Sequence, residues 1–269
     1  MKQRLLTFVM APAVVGAVLV VSCSQKAASD NHENPNAAES TATIVMSDES
    51  SIPPVDLGLS VMWAPMNVGA SAPEEFGTYF AWGETKGYGE EDPTNGQNYR
   101  SSDSTSYKKD FYDWTTYKYC EGGRMNLTKY CVNTSEGVVD GKTMLDLTDD
   151  AAHAAMGGRW RTPTSDELAE LREKCTWTWT SANGVAGYNV TGPNGNSIFL
   201  PAAGCRSNQS RGLVADKGPI HVGGGGYWSS SLEKEASSDL AWRLNFGEKV
   251  VSWSYESRCE GATIRAVCE

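Results

Sequence analysis

Four aspartates lie between residues 140 and 150 (Asp140, Asp146, Asp149 and Asp150), three serines run together at 229–231, and four glycines at 223–226. Each arrangement invites a chemistry. Clustered carboxylates could supply the hard oxygens that calcium takes. Asp149 and Asp150, however, directly precede the run AAHAAM, where a helix N-terminus favours negative charge, and they read as caps. Gly223 to Gly226 lacks the Lys-Ser/Thr and the following helix of a phosphate loop, and reads as a loop that lets Tyr227 and Trp228 enter the core. Ser229, Ser230 and Ser231 have neither a neighbouring histidine nor a nucleophile-elbow glycine pattern. The three histidines, His32, His153 and His221, are scattered. These patterns call for no cofactor and no metal.

The elements that would position such groups follow from capping and periodicity. Leu147 to Asp150 followed by AAHAAM predicts a capped helix of two to three turns ending at Gly157-Gly158. Arg159 to Pro163 should be extended, because a residue before proline avoids the helical region. Thr164, with Glu167 three residues on, forms a capping box for a second helix whose Leu168, Leu171 and Cys175 share one face. Arg159, Trp160 and Arg161 then read as scaffold between the two helices, not as chemistry. Thr176 to Thr180 alternates as a strand, and Asn194-Gly195 marks a hairpin between 187–190 and 197–200.

Residues 1–22 carry Lys2, Arg4 and an apolar run, and they meet Cys23 in the tetrapeptide Val20-Val21-Ser22-Cys23. This pattern matches a lipobox, so the expectation is a secreted lipoprotein whose lipid anchor is Cys23. Ser24, in place of Asp, follows the cysteine, which by resemblance to the lipoproteins of two-membrane bacteria points to the outer membrane. Residues 23–52 are polar and small, with one apolar patch at Ile44-Val45-Met46, and read as a flexible tether. All nine tryptophans lie from Trp63 to Trp253, so residues 53–269 read as one domain. Loss of Lys2 and Arg4 with the leader takes the formal charge two units below −10. Nucleic acid is excluded as a partner, since no basic stripe is present to release counterions. Six further cysteines, Cys120, Cys131, Cys175, Cys205, Cys259 and Cys268, suggest disulfides in an exported chain. A metal site would need closer spacing than the nine positions between Cys259 and Cys268.

The segments VDLGLSVMWAPMNVGASAPEEFGTYFAWGET (55–85), GGRWRTPTSDELAEL, GNSIFLPAAGCR, GGYWSSS and GATIRAVC together resemble the Fibrobacter succinogenes major paralogous domain family of Bacteroidetes lipoproteins. The resemblance implies an α+β, C-type-lectin-like fold: two short helices on an irregular, mostly antiparallel sheet, stapled by disulfides. It relates the chain to formylglycine-generating enzymes and phage tropism determinants. The bridges expected on this basis are Cys120–Cys131, Cys175–Cys268, which would tie the helix end to the last strand, and Cys205–Cys259 as the remaining pair. The copper cysteines of the formylglycine-generating enzymes, the three histidines of sulfoxide synthases on this fold, and the calcium motifs of lectins have no counterparts here.

In lectin-like domains the late part of the chain supplies most ligand contacts, so the resemblance places the candidate binding face on the last hairpin. Leu240, Trp242, Leu244 and Phe246 alternate, and the pattern resumes at Val251, Trp253 and Tyr255. A Gly247-Glu248 turn would set Trp242 opposite Trp253 on the core face. The other face would then present Arg243, Asn245, Ser252 and Ser254, followed by Arg258, as ligand-binding residues. Three functions are compatible with these features: a lipid-anchored, non-catalytic binding or adhesion module for a glycan or protein ligand, a structural or fimbria-associated envelope part, and a divergent enzyme of the sulfatase-modifying class.

Overall fold

The computed structural model describes residues 52–87, 112–207, 224–232 and 237–269. These belong to a unit spanning Met46–Glu269, so the leader, Cys23 and the tether up to residue 51 lie outside the described residues. Two helices accompany three antiparallel sheets, an α+β architecture. Strand β1 (Met62–Trp63) pairs with β8 (Val267–Cys268). The second sheet holds β2 (Thr176–Ala182), β3 (Val185–Thr191) and β4 (Ser197–Pro201), and the third β5 (Gly224–Leu232), β6 (Leu240–Gly247) and β7 (Val250–Ser257).

Helix α1 (Ala151–Met156) is six residues long, shorter than expected, because Leu147–Asp149 forms a separate 3-10 turn in front of it. Asp150 is its cap. One carboxylate oxygen accepts from the amides of Ala152 and His153 at 2.9 and 3.1 Å, and the side chain also takes the amide and hydroxyl of Thr162 at 2.8 Å each. A single aspartate thus both starts the helix and fixes the extended segment after it. Gly157, at φ 68°, ends α1 in a conformation that favours glycine. Helix α2 (Ser165–Lys174) begins with the complete capping box of Thr164 and Glu167 and buries Leu168 and Leu171. Arg161 grips Glu167 through both terminal nitrogens, at 2.8 and 2.6 Å, while its backbone pairs with Val267. Trp160 is 2 % exposed, so this stretch ties α1, α2 and β8 together.

The β2–β3–β4 meander follows the expected hairpin, with Gly195 at φ 88° in its turn. In the last hairpin the register differs from expectation by two residues. Gly247 stays in the strand, paired with Val250, so the turn is Glu248-Lys249, and Trp242 faces Tyr255 while Leu244 faces Trp253. The hydroxyl of Tyr188 donates to the carbonyls of Gly247 and Glu248 at 3.1 and 3.0 Å, which holds that corner. A shift of two preserves which side chains share a face. Gly224–Gly226 also departs from the loop expectation: these glycines are strand β5, paired with Gly247, Phe246 and Asn245, and Gly223 lies outside the described residues. A Cβ on Gly225 would meet the Phe246 ring at 2.2 Å, so the glycine is needed for close approach.

Two apolar clusters embed this third sheet. Trp228, Leu232 and Ala241 join one that contains Trp82, Tyr130 and Trp160; Tyr227, Leu244 and Phe246 join another that contains Leu168, Tyr188 and Leu200. Both faces of β5 and β6 therefore contribute to the interior.

None of the three expected bridges is formed between the six cysteines. The Cys120 thiol donates to the Trp114 carbonyl at 2.9 Å and the Cys131 thiol to the Asn133 carbonyl at 3.1 Å, so both are satisfied locally. Cys175 packs against the second cluster and Cys268 belongs to the first. Cys259 is likewise in the first, whereas Cys205 lines the cleft described next.

Candidate functional site

On the face of the last hairpin that carries Arg243, strands β5, β6 and β7 enclose a cleft of about 450 Å³. Alternation along the strands places its polar walls. Asn245 pairs with Ser252, Arg243 with Ser254 and Ala241 with Glu256, so Arg243, Asn245, Ser252, Ser254 and Glu256 rise from one face. Across from them, Gly224–Gly226 and Gly204 present bare backbone. A Cβ on Gly226 would sit 3.3 Å from the Arg243 side chain, a tight contact.

Arg243 organises the site. Its Nε donates to Asn245 Oδ1 at 2.8 Å, one terminal nitrogen donates to Glu260 Oε2 at 3.0 Å, and the other lies 3.3 Å from Glu256 Oε1. The guanidinium also rests over the Trp228 ring, 5.4 Å from its centroid. Asn245 donates through Nδ2 to Ser254, whose hydroxyl donates to Glu256 at 2.7 Å. The result is a ring of donors and acceptors in which each side chain fixes the next. Burial pushes the Glu260 carboxyl above its ordinary range, against the opposing pull of Arg243. Burial also raises the Cys205 thiol, again opposed by Arg243. One cation and two carboxylates leave the site without an excess of positive charge.

Three of the expected ligand-binding residues, Arg243, Asn245 and Ser254, therefore share one network and Ser252 lines the cleft beside it, though Arg243 is only 5 % exposed. Arg258 does not join them. It is wholly buried: Nε donates to the Tyr117 hydroxyl at 2.9 Å, and its terminal nitrogens donate to the carbonyls of Tyr130, Ser238 and Lys129 at 2.9, 2.7 and 3.0 Å. The rings of Trp82, Tyr117 and Tyr130 surround it at 5.0–5.8 Å. Its expected role as a ligand contact is corrected to a structural one, because the chain after β7 turns inward, with Arg258 N bonded to Asp239 O. Arg265 is held in the same manner by Asn67 and three carbonyls, and burial draws its pKa down to about 10.

The aspartate group is spoken for. Asp140 accepts from the amides of Tyr130, Cys131 and Lys142, Asp146 pairs with Lys129 and Lys142, Asp149 with Lys129 and the Tyr130 hydroxyl, and Asp150 caps α1. Among the described residues no group of three or more His, Cys, Asp or Glu is placed to hold a metal ion. Ser229 to Ser231 are buried, with Ser229 Oγ donating to the carbonyls of Ser231 and Trp242. His153 sits beside the Trp160 carbonyl, whereas His32 and His221 lie outside the described residues.

Sequence reasoning missed Glu256, Glu260, Gly204 and Cys205. Glu256 was within reach, since it continues the Ser252, Ser254 alternation by two residues. Gly204, Cys205 and Glu260 arrive from separate parts of the chain and leave no local signal. Comparison of the chain with family models, with curated proteins and with solved structures finds no match.

Proposed function

We propose that the chain is a lipid-anchored outer-membrane protein whose C-type-lectin-like domain, of the Fibrobacter succinogenes major paralogous type, is a non-catalytic binding module seated on the Arg243 cleft. The observation that carries this reading is the closed ring of Arg243, Asn245, Ser254 and Glu256 at a cleft of about 450 Å³, which Arg243, Asn245, Ser252 and Glu256 line and which lies within the size range of small-ligand sites. Fixed donors beside fixed acceptors suit the hydroxyls of a glycan, each of which donates and accepts. The two carboxylates disfavour phosphate or sulfate. Burial of Cys205 works against a thiolate, the reverse of what an activated nucleophile requires. Two short helices with antiparallel sheets support the lectin-like assignment, and the lipobox at Cys23 supports the anchor.

The test is binding of the full-length protein to an array of envelope and host glycans, with Ser252→Trp alongside. Ser252 is half-buried at the cleft wall, so an indole there fills the space while leaving the Arg243 network intact. Wild type should retain a defined set of glycans and Ser252→Trp should lose them. Equal retention by both would remove the cleft from the proposal.

A further inference from the structure

The opposite face of the same hairpin carries a second concavity, of about 550 Å³, between β6–β7 and the start of α2. Its walls include Met144, Ser165, Asp166, Trp242, Trp253 and Tyr255. The aromatic residues reach it by alternation: Trp242 faces Tyr255 across the ladder, and Trp253 is the next residue on that face. Trp242 and Trp253 stand edge to face, 5.8 Å between centroids at 81°, and Trp242 and Tyr255 lie 4.0 Å apart at 46°. These rings form a corner, not a flat shelf. Tyr255 and Met144 are each 40 % exposed, so apolar and aromatic surface stays open to water at a place where α2 could have been drawn over it.

Among the described residues the charge lining this corner is of one sign. Asp166, exposed in the first turn of α2, is the charged residue in the lining, and no lysine or arginine among the described residues lines it. The backbone beneath is already satisfied: Ser165 N donates to Ser231 Oγ, which itself lies 3.3 Å from the Met144 sulfur. Anionic ligands are thus repelled, and a lone carboxylate is a poor metal site. Electron-rich ring faces beside a carboxylate suit an organic cation, whose charge is attracted by the ring quadrupoles and by the acid together. The sulfur of Met144 adds a polarizable contact to the same corner.

We infer that the Trp242–Trp253–Tyr255 corner, with Asp166, is a binding site for an alkylammonium group. Two sources could present that chemistry, a quaternary ammonium such as choline or the side chain of a lysine, and the corner recognises what they share. The site lies on the face opposite the Arg243 cleft and does not depend on the function proposed for the cleft.

The experiment is a tryptophan-fluorescence titration of the full-length protein, since two indoles line the corner. The probes are choline chloride, Nα-acetyl-lysine methylamide, the uncharged choline isostere 3,3-dimethylbutan-1-ol, and glucose. At least one ammonium probe should bind saturably, about tenfold or more tighter than the isostere, the margin expected of a cation–π contact partly withdrawn from water. Comparison of the choline and lysine arms identifies which source fits the corner. Asp166→Asn and Tyr255→Ala should each weaken that binding several-fold with thermal unfolding still cooperative; Asp166→Asn changes no packing and so guards against a folding artefact. Equal binding of the isostere, binding of glucose in place of the ammonium probes that Tyr255→Ala abolishes, no saturable binding of an ammonium probe, or full affinity in both variants would overturn the inference, and none of these results bears on the Arg243 cleft.

Discussion

Arg243 and Arg258 are both buried, both beside tryptophan rings, and both close to the end of the last hairpin, yet they sit in different kinds of surroundings. Arg258 spends its donors on the Tyr117 hydroxyl and three carbonyls inside a cage of aromatic rings. Arg243 spends its own on side chains, Asn245, Glu256 and Glu260, the first two of which border open space. Backbone carbonyls cannot be rearranged without moving the chain, whereas side-chain acceptors can exchange a partner for a ligand. Burial alone therefore does not separate a structural arginine from a site arginine. The nature of the acceptors does.

The largest effect that would sharpen this contrast is expected from Arg258→Met. Loss of four hydrogen bonds leaves the carbonyls of Lys129, Tyr130 and Ser238 without their donor in the interior, at about 1–3 kcal/mol for each group left unsatisfied. A total loss of about 4 kcal/mol or more would lower the melting temperature by roughly 8–16 °C for a domain of this size, readable by calorimetry. A variant that melts like wild type would break the comparison.

The next effect concerns the far side of the Arg258 cage. Lys129 and Tyr130, whose carbonyls accept from Arg258, also hold Asp149 through their side chains. Burial alone would raise the Asp149 carboxyl, but the bonds from Lys129 and Tyr130 outweigh it and keep its pKa at about 2. Because the folded value lies below the unfolded one, the contribution is full above pH about 4 and is lost as pH falls toward 2. Its size is about 2 kcal/mol, and Asp149→Asn should remove both that stability and the corresponding part of the acid limb in a pH series of denaturant midpoints. An unchanged acid limb in Asp149→Asn would contradict the assignment.

A smaller loss is expected at Trp242, the neighbour of Arg243 that points the other way. Read as a core residue it would cost about 3–5 kcal/mol on truncation to alanine. It is instead half-buried in the aromatic corner, so the expected loss is about 1–2 kcal/mol, well below that of Trp160→Ala in the same assay. Equal losses at the two positions would show that the corner is packed as tightly as the core.

Legibility in the sequence followed the range of the forces involved. The capping box of Thr164 and Glu167, the Asn194-Gly195 hairpin and the alternation from Leu240 are local, and each was readable from spacing. The turn of the last hairpin was misplaced by one residue, and the register therefore by two, because Gly247 suits a turn by itself; its pairing with Gly224 and the Tyr188 hydroxyl, both distant in sequence, keep it in the strand. The same range limit hid the inward course of Arg258 and the second cluster against β5 and β6. Alternation places Arg243 opposite the aromatic face, but only the tertiary fold decides whether that face is open. Removal of Arg243 itself is a poor probe of the cleft, since Glu256 and Glu260 would then be left in partial burial without their cation.

The most direct test of the account is a chemical-shift map of the isotope-labelled protein titrated with the glycan best retained on the array. The Arg243 Nε–H, the Asn245 side-chain amide and the backbone amides of Gly225, Gly226 and Ser252 should shift together and saturate, while the Arg258 Nε–H stays in place. Saturable shifts that leave the Arg243 cleft untouched, or that move Arg258 as much as Arg243, would contradict it.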